Sequence, residues 1–539
     1  MGWFGKREPQ TRQEPRVVEA PSNVPKVGKK RAPRLGRSVG AGRRMFDAGQ
    51  SDRLTGNWST TPLTADDVIR RNLRALVARS REQAANNDHG RAFLRMVRQN
   101  IIGPRGIQMQ SQAKDADGSL DLEANAAIEA AWVEWSKAEN CDVTGRLTFR
   151  QLQGLAVQTA ARDGELFIQI VTGRDAGPWG FALNVIDPQR CPVDLDEVKL
   201  PGGRFIRHGI EFSQYGRPVA YYFTTTAAEE SDYSYGGRSF VRIPADQIIH
   251  PFVSDMIGQK RGLPWMATAL WRMHQLEQVE KASLVNAREG ANKAGFLEWE
   301  EGYGPEAVDE NGEPIEVEIE SEAGVYHELP AGARFKEYNP TYPSGEFAVF
   351  AKHQLRGISA GLGVAYNNLA SDLEGVNYSS IRQGTIDERE HWKDLQEWVV
   401  ESLMAPIFAR WLKRSLVAGK IKRGGKPLPA EKLDKFSKVA WQPRRWDWID
   451  PNADVKAAVM AKNNLLMSPS QIIRDRGQDP QTVWRDIARD IADMRAAGIP
   501  EEIISAVVLQ KAEGSNGSAK PAGASAGNQG DGGSGADGS

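Results

Sequence analysis

Cysteine is nearly missing from this chain: Cys141 and Cys191 are the only two. Two thiols supply neither a disulfide framework nor a thiolate metal site, so a reducing compartment is expected. No uncharged apolar run approaches the roughly 18 residues of a spanning helix, so no membrane insertion by this chain is expected. The opening MGWFGKREPQ has no apolar core, and no signal peptide is read there. An excess of one charge sign is lacking too, since 69 basic and 70 acidic side chains leave a formal charge of -1. That balance argues against tight, sequence-independent nucleic-acid binding by one subunit, although charge can still be segregated locally.

Catalytic signatures are equally scarce. The seven histidines form no H-E-x-x-H and no Cys/His cluster with zinc spacing. Gly357, Gly361 and Gly363 belong to no G-x-x-x-x-G-K-[ST], so nothing points to a nucleotide-driven motor. A G-x-S-x-G elbow is also lacking. Asp372, Glu374 and Asp387 are the carboxylates that a two-metal nuclease would have to bring together. A polar loop and a charged helix start account for the same residues. No catalytic residue, metal ligand or cofactor is assigned, and the chain is not read as an enzyme.

What is present is length and a clear central stretch. A chain of 539 residues is too long for one simple core and suggests two to four modules. Around residues 346–411, Phe347, Phe350, Leu355, Ile358 and Leu362 fall at roughly helical spacing. Leu395, Val399, Leu403, Ile407 and Trp411 then repeat at i,i+4, which fixes a long helix that Pro406 should bend or break. Between them, residues 363–380 read as a polar loop, longer than most connections and so a candidate working loop.

The flanks have their own character. Residues 1–44 carry twelve Lys or Arg against three Glu and cannot bury enough to fold alone. Lys29, Lys30, Arg31 and Arg34 make this a solvated arm or one that meets phosphate or an acidic partner. Helices follow from an N-cap at Thr64, with Arg70, Arg71, Arg74, Arg79, Arg81, Arg91, Arg95 and Arg98 either solvating a face or meeting phosphate or subunit carboxylates. From Glu165 the period changes to short strands, 166–171, 181–186, 205–212, 218–223, 240–243 and 247–252, which read as an antiparallel sheet. Pro264 opens a helix expected over about 265–292, with Met266, Leu270, Met273, Leu276 and Leu284 on its apolar side. The acid-rich 297–323 holds one convincing strand, Ile315–Ile319, and the strand pattern resumes at 325–329 and 333–338. Trp441, Trp446 and Trp448 read as packing or subunit-interface residues rather than base-stacking ones. Helical runs then lead to a Gly-rich tail.

Several blocks carry a resemblance. NPTYPSGEFAVFAKHQLRGISAGLGVAYNNLASDLEGVNYSSIRQG (339–384) and EHWKDLQEWVVESLMAPIF (390–408) resemble the lambda-type portal proteins of tailed phages. DGELFIQIV (163–171), the HPF…GQKRGLPWMATAL run (250–270), AGFLEW (294–299), WQPRRWDWIDPNADVKA (441–457) and SPSQIIRDRGQDPQTV (468–483) match in family order. The resemblance implies an α+β portal fold with a helical and antiparallel-sheet wing, long stem helices, a small clip and a helical crown. On that frame the chain divides into a basic flexible arm (1–60), wing (61–262), stem helix (263–294) and clip with return strands (295–340). A helix, tunnel-type loop (363–380) and long helix (341–420), a C-terminal helical crown region (421–510) and a disordered tail (511–539) complete it.

The resemblance also implies a function. It is a homo-oligomeric ring, typically of twelve subunits, at one capsid vertex of the virion, assembled in the cytoplasm of a host bacterium. Double-stranded DNA passes through its channel during packaging and ejection. The major capsid protein, the terminase large subunit, which supplies ATP hydrolysis, and head-completion or tail connector proteins are the implied partners. The tunnel loop would bring Asn367, Asn368, Ser371, Asp372, Glu374, Asn377, Tyr378, Ser379, Ser380 and Arg382 to the lumen, with Asp372 and Glu374 repelling phosphate. The alternatives are a non-channel capsid or scaffold protein and, behind it, a metal-dependent DNA-processing enzyme.

Overall fold

The computed structural model describes residues 53, 59–225, 239–291, 295–299, 333–337, 345–375, 377–446 and 451–508. The arm residues Lys29, Lys30, Arg31 and Arg34, the strands expected at 315–319 and 325–329, Trp448 and the tail lie outside these. The chain divides into two units, Met1–Pro62 and Leu63–Ser539, and every element below lies in the second.

The first helices are set by their caps. Thr64 and Asp67 form a reciprocal capping box, which starts α1 (Ala65–Asn86). Ile69, Leu73 and Val77 then give it a buried stripe. Asn87 ends α1 and caps α2 (Asp88–Val97), which runs into a π-helical turn at Arg98–Ile102. Strand β1 (Gln108–Ser111) leads to α3 (Leu122–Trp135), the short α4 (Ala138–Cys141) and α5 (Phe149–Asp163), the last capped by Thr148 and Gln151. Trp132 and Trp135, with ring centroids 4.8 Å apart, anchor the main core against Phe149.

The sheet region holds two antiparallel sheets. β2 (Phe167–Thr172), β3 (Phe181–Ile186) and β9 (Ile248–Ile249) form one, in the order β3-β2-β9. The other runs in sequence order through β4 (Glu197–Leu200), β5 (Arg204–Arg207), β6 (Ile210–Phe212), β7 (Pro218–Thr224) and β8 (Phe240–Pro244). The single strand expected over 205–212 is therefore two strands of a hairpin, with Arg207 opposite Ile210. His208 and Gly209 both take positive φ, 53° and 79°, the geometry of a primed two-residue turn. Apolar residues continue on both sides of that turn, which hides it from a period count. Phe167, Tyr221 and Phe223 join the sheets in a second apolar cluster.

A buried ionic centre ties the sheets to the next helix. Arg261 donates to Glu165 at 2.6–2.9 Å and to the carbonyl oxygens of His208 and Cys191. The His250 ring bonds the same carboxylate at 2.9 Å. Burial alone would raise the Glu165 carboxyl, but the Arg261 charge and the bonds from His250 and Arg261 win and hold it at about 2. The backbone here is close-packed: a Cβ on Gly262 would sit 1.9 Å from the carbonyl oxygen of Gly164.

The helix expected from 265 begins later, as α6 (Leu270–Ala291), about 33 Å long. Its delay has a tertiary cause. The Trp265 N–H donates to the Ala161 carbonyl, so residues 265–269 turn against α5 before the helical ladder starts. Met266, Leu270, Met273 and Leu276 are buried as expected, but Leu284 is 73% exposed. Beyond Leu276 most of the described side chains of α6 are exposed, with Ser283 buried. After α6, β10 (Gly295–Trp299) pairs antiparallel with β11 (Ala333–Glu337).

Helices α7 (Phe347–Leu362), α8 (Tyr366–Ala370), α9 (Tyr378–Val399) and α10 (Ala405–Val417) make up the central stretch. Pro406 does not break the path into two separate helices. A π-helical turn at Val400–Met404 joins α9 to α10, and Pro406 stands in the first turn of α10, where its missing N–H costs little. Trp411 and Phe408 complete the aromatic cluster around Trp132 and Trp179. The short pair β12 (Lys422–Arg423) and β13 (Lys426–Pro427) and helix α11 (Leu433–Phe436) follow. β14 (Val439–Gln442) then pairs with β1 and carries Trp441 into the same cluster. Helices α12 (Pro451–Asn463), α13 (Pro469–Asp475), α14 (Pro480–Ala496) and α15 (Glu501–Val508) end the described chain. Helices and segregated antiparallel sheets make this an α+β protein.

Candidate functional site

The expected 18-residue loop at 363–380 is interrupted by helix, at Tyr366–Ala370 and from Tyr378 onward. Gly363 closes α7 with φ 69°, and α8 follows after two residues, pinned by buried Val364 and Leu369. The Asn377 side chain accepts the Ser380 N–H at 2.8 Å, so Tyr378, Ser379 and Ser380 form the first turn of α9 rather than loop. Among the described residues of this stretch, irregular chain is confined to 363–365, 371–375 and 377. Polar composition suggested a loop because Asn and Ser suit both loops and helix caps.

Asp372 organises the second connection. It accepts from the Tyr366 hydroxyl at 2.6 Å and the Glu374 N–H at 2.9 Å, and it pairs with Lys352 at 2.9 Å. The Tyr366 hydrogen bond and then the Lys352 one hold its carboxyl well below the usual range. Burial and the Asp372 bond push the Tyr366 hydroxyl up to about 12. Lys352 and Arg356 of α7 both lie over the Tyr366 ring, at 5.8 and 5.6 Å. This connection is thus latched to α7 by one carboxylate, one phenol and two cations. Positive φ at Ser371 and Gly375 sets the turns on either side of Asp372.

The remaining expected residues scatter around the latch. Asn367 is half-buried on α8, while Ser371, Glu374 and Asn377 are exposed. Asn368 reaches from α8 to α9, its amide donating to Glu388. Ser380 is exposed and Arg382 half-buried on α9. Glu388 is the residue that sequence reasoning passed over. It is buried, accepts from Asn368 and from Trp392 Nε1, and burial raises its pKa. Its i,i+4 relation to Trp392 was the available signal.

The carboxylates of the enzyme alternative part company. Asp372 is held by Lys352 and Tyr366, and Asp387 accepts from Gln383. Among the described residues no group of three or more His, Cys, Asp or Glu is arranged to hold a metal ion. Of the arginines on the first helices, Arg81 is engaged internally, bridging Asp163 and Asp187 at 2.8 and 2.7 Å. Trp446 donates to Asn100 Oδ1 at 3.0 Å, with Arg389 and Arg444 over its ring.

Comparison with known proteins gives consistent matches. The family described as "Phage portal protein, lambda family" matches residues 51–396. A probable portal protein of Halomonas phage phiHAP-1 is 35% identical over 463 residues, covering 85% of this chain and 88% of that one. Portal protein B of Escherichia phage lambda is 22% identical over 482 residues, with coverages of 82% and 88%. A chain from the neck of a native gene transfer agent particle, solved with C12 symmetry, aligns with a TM-score of 0.39 at 13% identity, over 76% of this chain and 94% of that one.

Proposed function

The chain belongs to the lambda family of phage portal proteins, and from that premise we propose that it assembles into a homo-oligomeric ring, twelve-fold as the family implies, at one capsid vertex. Double-stranded DNA enters and leaves through the ring. The ring seats the terminase during packaging and the head-completion or tail connector proteins afterwards, with the major capsid protein around it. The chain itself hydrolyses nothing; the terminase supplies that chemistry.

The observation that carries this reading within the subunit is a set of unpartnered apolar side chains. Trp271, Leu284 and Val285 on α6 and Val349 and Phe350 on α7 are exposed, Trp271 and Val349 to 72%. Two adjacent helices with such faces suit burial against a neighbouring copy. The latched connection at 371–377 is the proposed lumen segment. Because Lys352 offsets Asp372, Glu374 is the carboxylate left to repel passing phosphate, a narrower role than the one expected of the pair. The barely charged remainder (Asn367, Ser371, Asn377) lets DNA slide without breaking an ion pair at each step.

Electron microscopy of the purified protein, with its solution mass, tests the reading. Closed rings with an axial passage wide enough for a duplex, about 20 Å or more, are expected. A stable closed assembly without an axial passage would overturn it and favour a lattice or scaffold role.

A further inference from the structure

A second feature stands apart from the lumen segment. Arg95, Arg98, Arg150 and Arg444 converge on a cleft of about 580 Å³, with Gln99 and Gln158 beside them. The arginines come from α2, the π-helical turn after it, α5 and the segment beyond β14. No Asp or Glu lines the cleft, and among the described residues no ion pair engages Arg95, Arg98 or Arg150. Arg95, Arg98 and Arg150 thus bring three guanidinium groups to one concavity that no carboxylate lines, and they repel one another unless an anion joins them.

At Gly154 the backbone makes room for one of these side chains with no other call for glycine, whereas Gly103 and Gly106 also take positive φ, 71° and 79°. A Cβ on Gly154, inside α5, would lie 3.0 Å from Arg98 Nε, and one on Gly106 would lie 3.1 Å from Arg150 Cγ. A Cβ on Gly103 would lie 2.9 Å from Arg444 Cδ. Glycine inside a helix weakens it, so its presence where the Arg98 stem crosses α5 favours the cleft over the helix. Arg444 is oriented further by donating to the Gln99 carbonyl and Asn100 Oδ1.

We propose that this cleft is an oxyanion site for a phosphate-bearing ligand, either the phosphodiester backbone of DNA or a free polyphosphate. Arginine presents a planar fork that matches phosphate oxygens two at a time, and the set is all arginine with no lysine. A solvent-open concavity of this size, with Arg95, Arg98 and Arg150 exposed, admits a compact group bearing several charged oxygens. An acidic protein segment would have to bring a separate side chain for each arginine. The site does not depend on the ring reading, since all its groups lie within one subunit.

The test uses the full chain. Binding of sodium tripolyphosphate is measured by calorimetry for the wild type, for Arg98→Gln/Arg150→Gln, and for Arg70→Gln/Arg79→Gln, which removes two exposed α1 charges outside the cleft. The wild type and the α1 variant are expected to bind alike, and the cleft variant about tenfold or more weaker, with unchanged melting. Phenylglyoxal labelling of the wild type, slowed at Arg98 and Arg150 by tripolyphosphate, reads the same site without a substitution. A labelled duplex of about 20 base pairs that competes with tripolyphosphate assigns the DNA backbone, with a salt slope about 2 lower in the cleft variant. A duplex that does not compete assigns a free polyphosphate. Absence of tripolyphosphate binding, equal loss in both variants, or polyglutamate bound in the cleft as tightly as tripolyphosphate would overturn the assignment.

Discussion

Glu165 is the carboxylate to which buried Arg261 is ion-paired, and both side chains are almost wholly buried. Replacing Glu165 by Gln leaves a guanidinium charge inside the protein, which costs about 3–5 kcal/mol. The pH dependence has a definite sign. Glu165 titrates near 2 in the folded chain against an ordinary 4.5, so its contribution is full above 4.5 and fades as pH falls toward 2. Burial lowers the pKa of His250, so the unfolded chain takes up that proton first and acid costs stability there too. Urea unfolding should show a wide gap between wild type and Glu165→Gln at pH 7 that narrows by pH 3. A gap that stays constant would mean the carboxylate's charge is not what stabilises the site. Nothing local in the sequence announces this pair: its members stand nearly a hundred residues apart, and the matching blocks that contain them carry no sign that they meet. The arginine cleft was half legible: Arg95 and Arg98 stood out as a basic run, but only the fold brings Arg150 and Arg444 to them.

Among the elements, the connection from α8 to α9 is the one whose behaviour is easiest to change. Asp372→Asn removes the charge that holds Lys352 and weakens the Tyr366 bond. Hydrogen exchange should speed up across 366–377 while global melting barely moves, because the latch is at the surface. Acid should act the same way: the depressed Asp372 carboxyl keeps the latch closed at neutral pH and releases it only well below the usual carboxylate range. Unchanged exchange in the variant would shift the restraint to buried Leu369 and Val364. Element type was readable here wherever one period dominated, as in the stripe from Leu395 to Trp411. It failed where caps mimic loops, at Asn377, and where a hairpin turn sits inside a continuous apolar pattern, at His208 and Gly209. The late start of α6 was also out of reach, since the tie from Trp265 to Ala161 is tertiary.

At the scale of the whole molecule, the apolar side chains on the outer part of α6 bear on assembly. Leu284→Glu introduces a charge where the neighbouring subunit is proposed to pack, and it should shift mass photometry from ring to monomer without lowering subunit melting. Rings of unchanged abundance would move the interface elsewhere. The α+β class and the family were legible because the matching blocks span nearly the whole described chain. The same molecule is threaded by one continuous rod, α9, the π turn and α10, about 60 Å long at 1.5 Å per residue. One end carries the proposed lumen segment, and the other reaches the aromatic cluster. Side chains spaced by four drift about 40° per step around an α-helix, so over four steps Trp411 would face almost away from Leu395. All five residues of that stripe are buried nonetheless, and the wider turn at Val400–Met404 takes back part of the accumulated angle. The rod therefore keeps phase by residue count. Removing a single residue from the α-helical part before that turn would rotate everything beyond it by about 100° and swing Trp411 out of its cluster, whereas the π turn itself holds a residue to spare. The same deletion in the 371–377 connection changes only a local path.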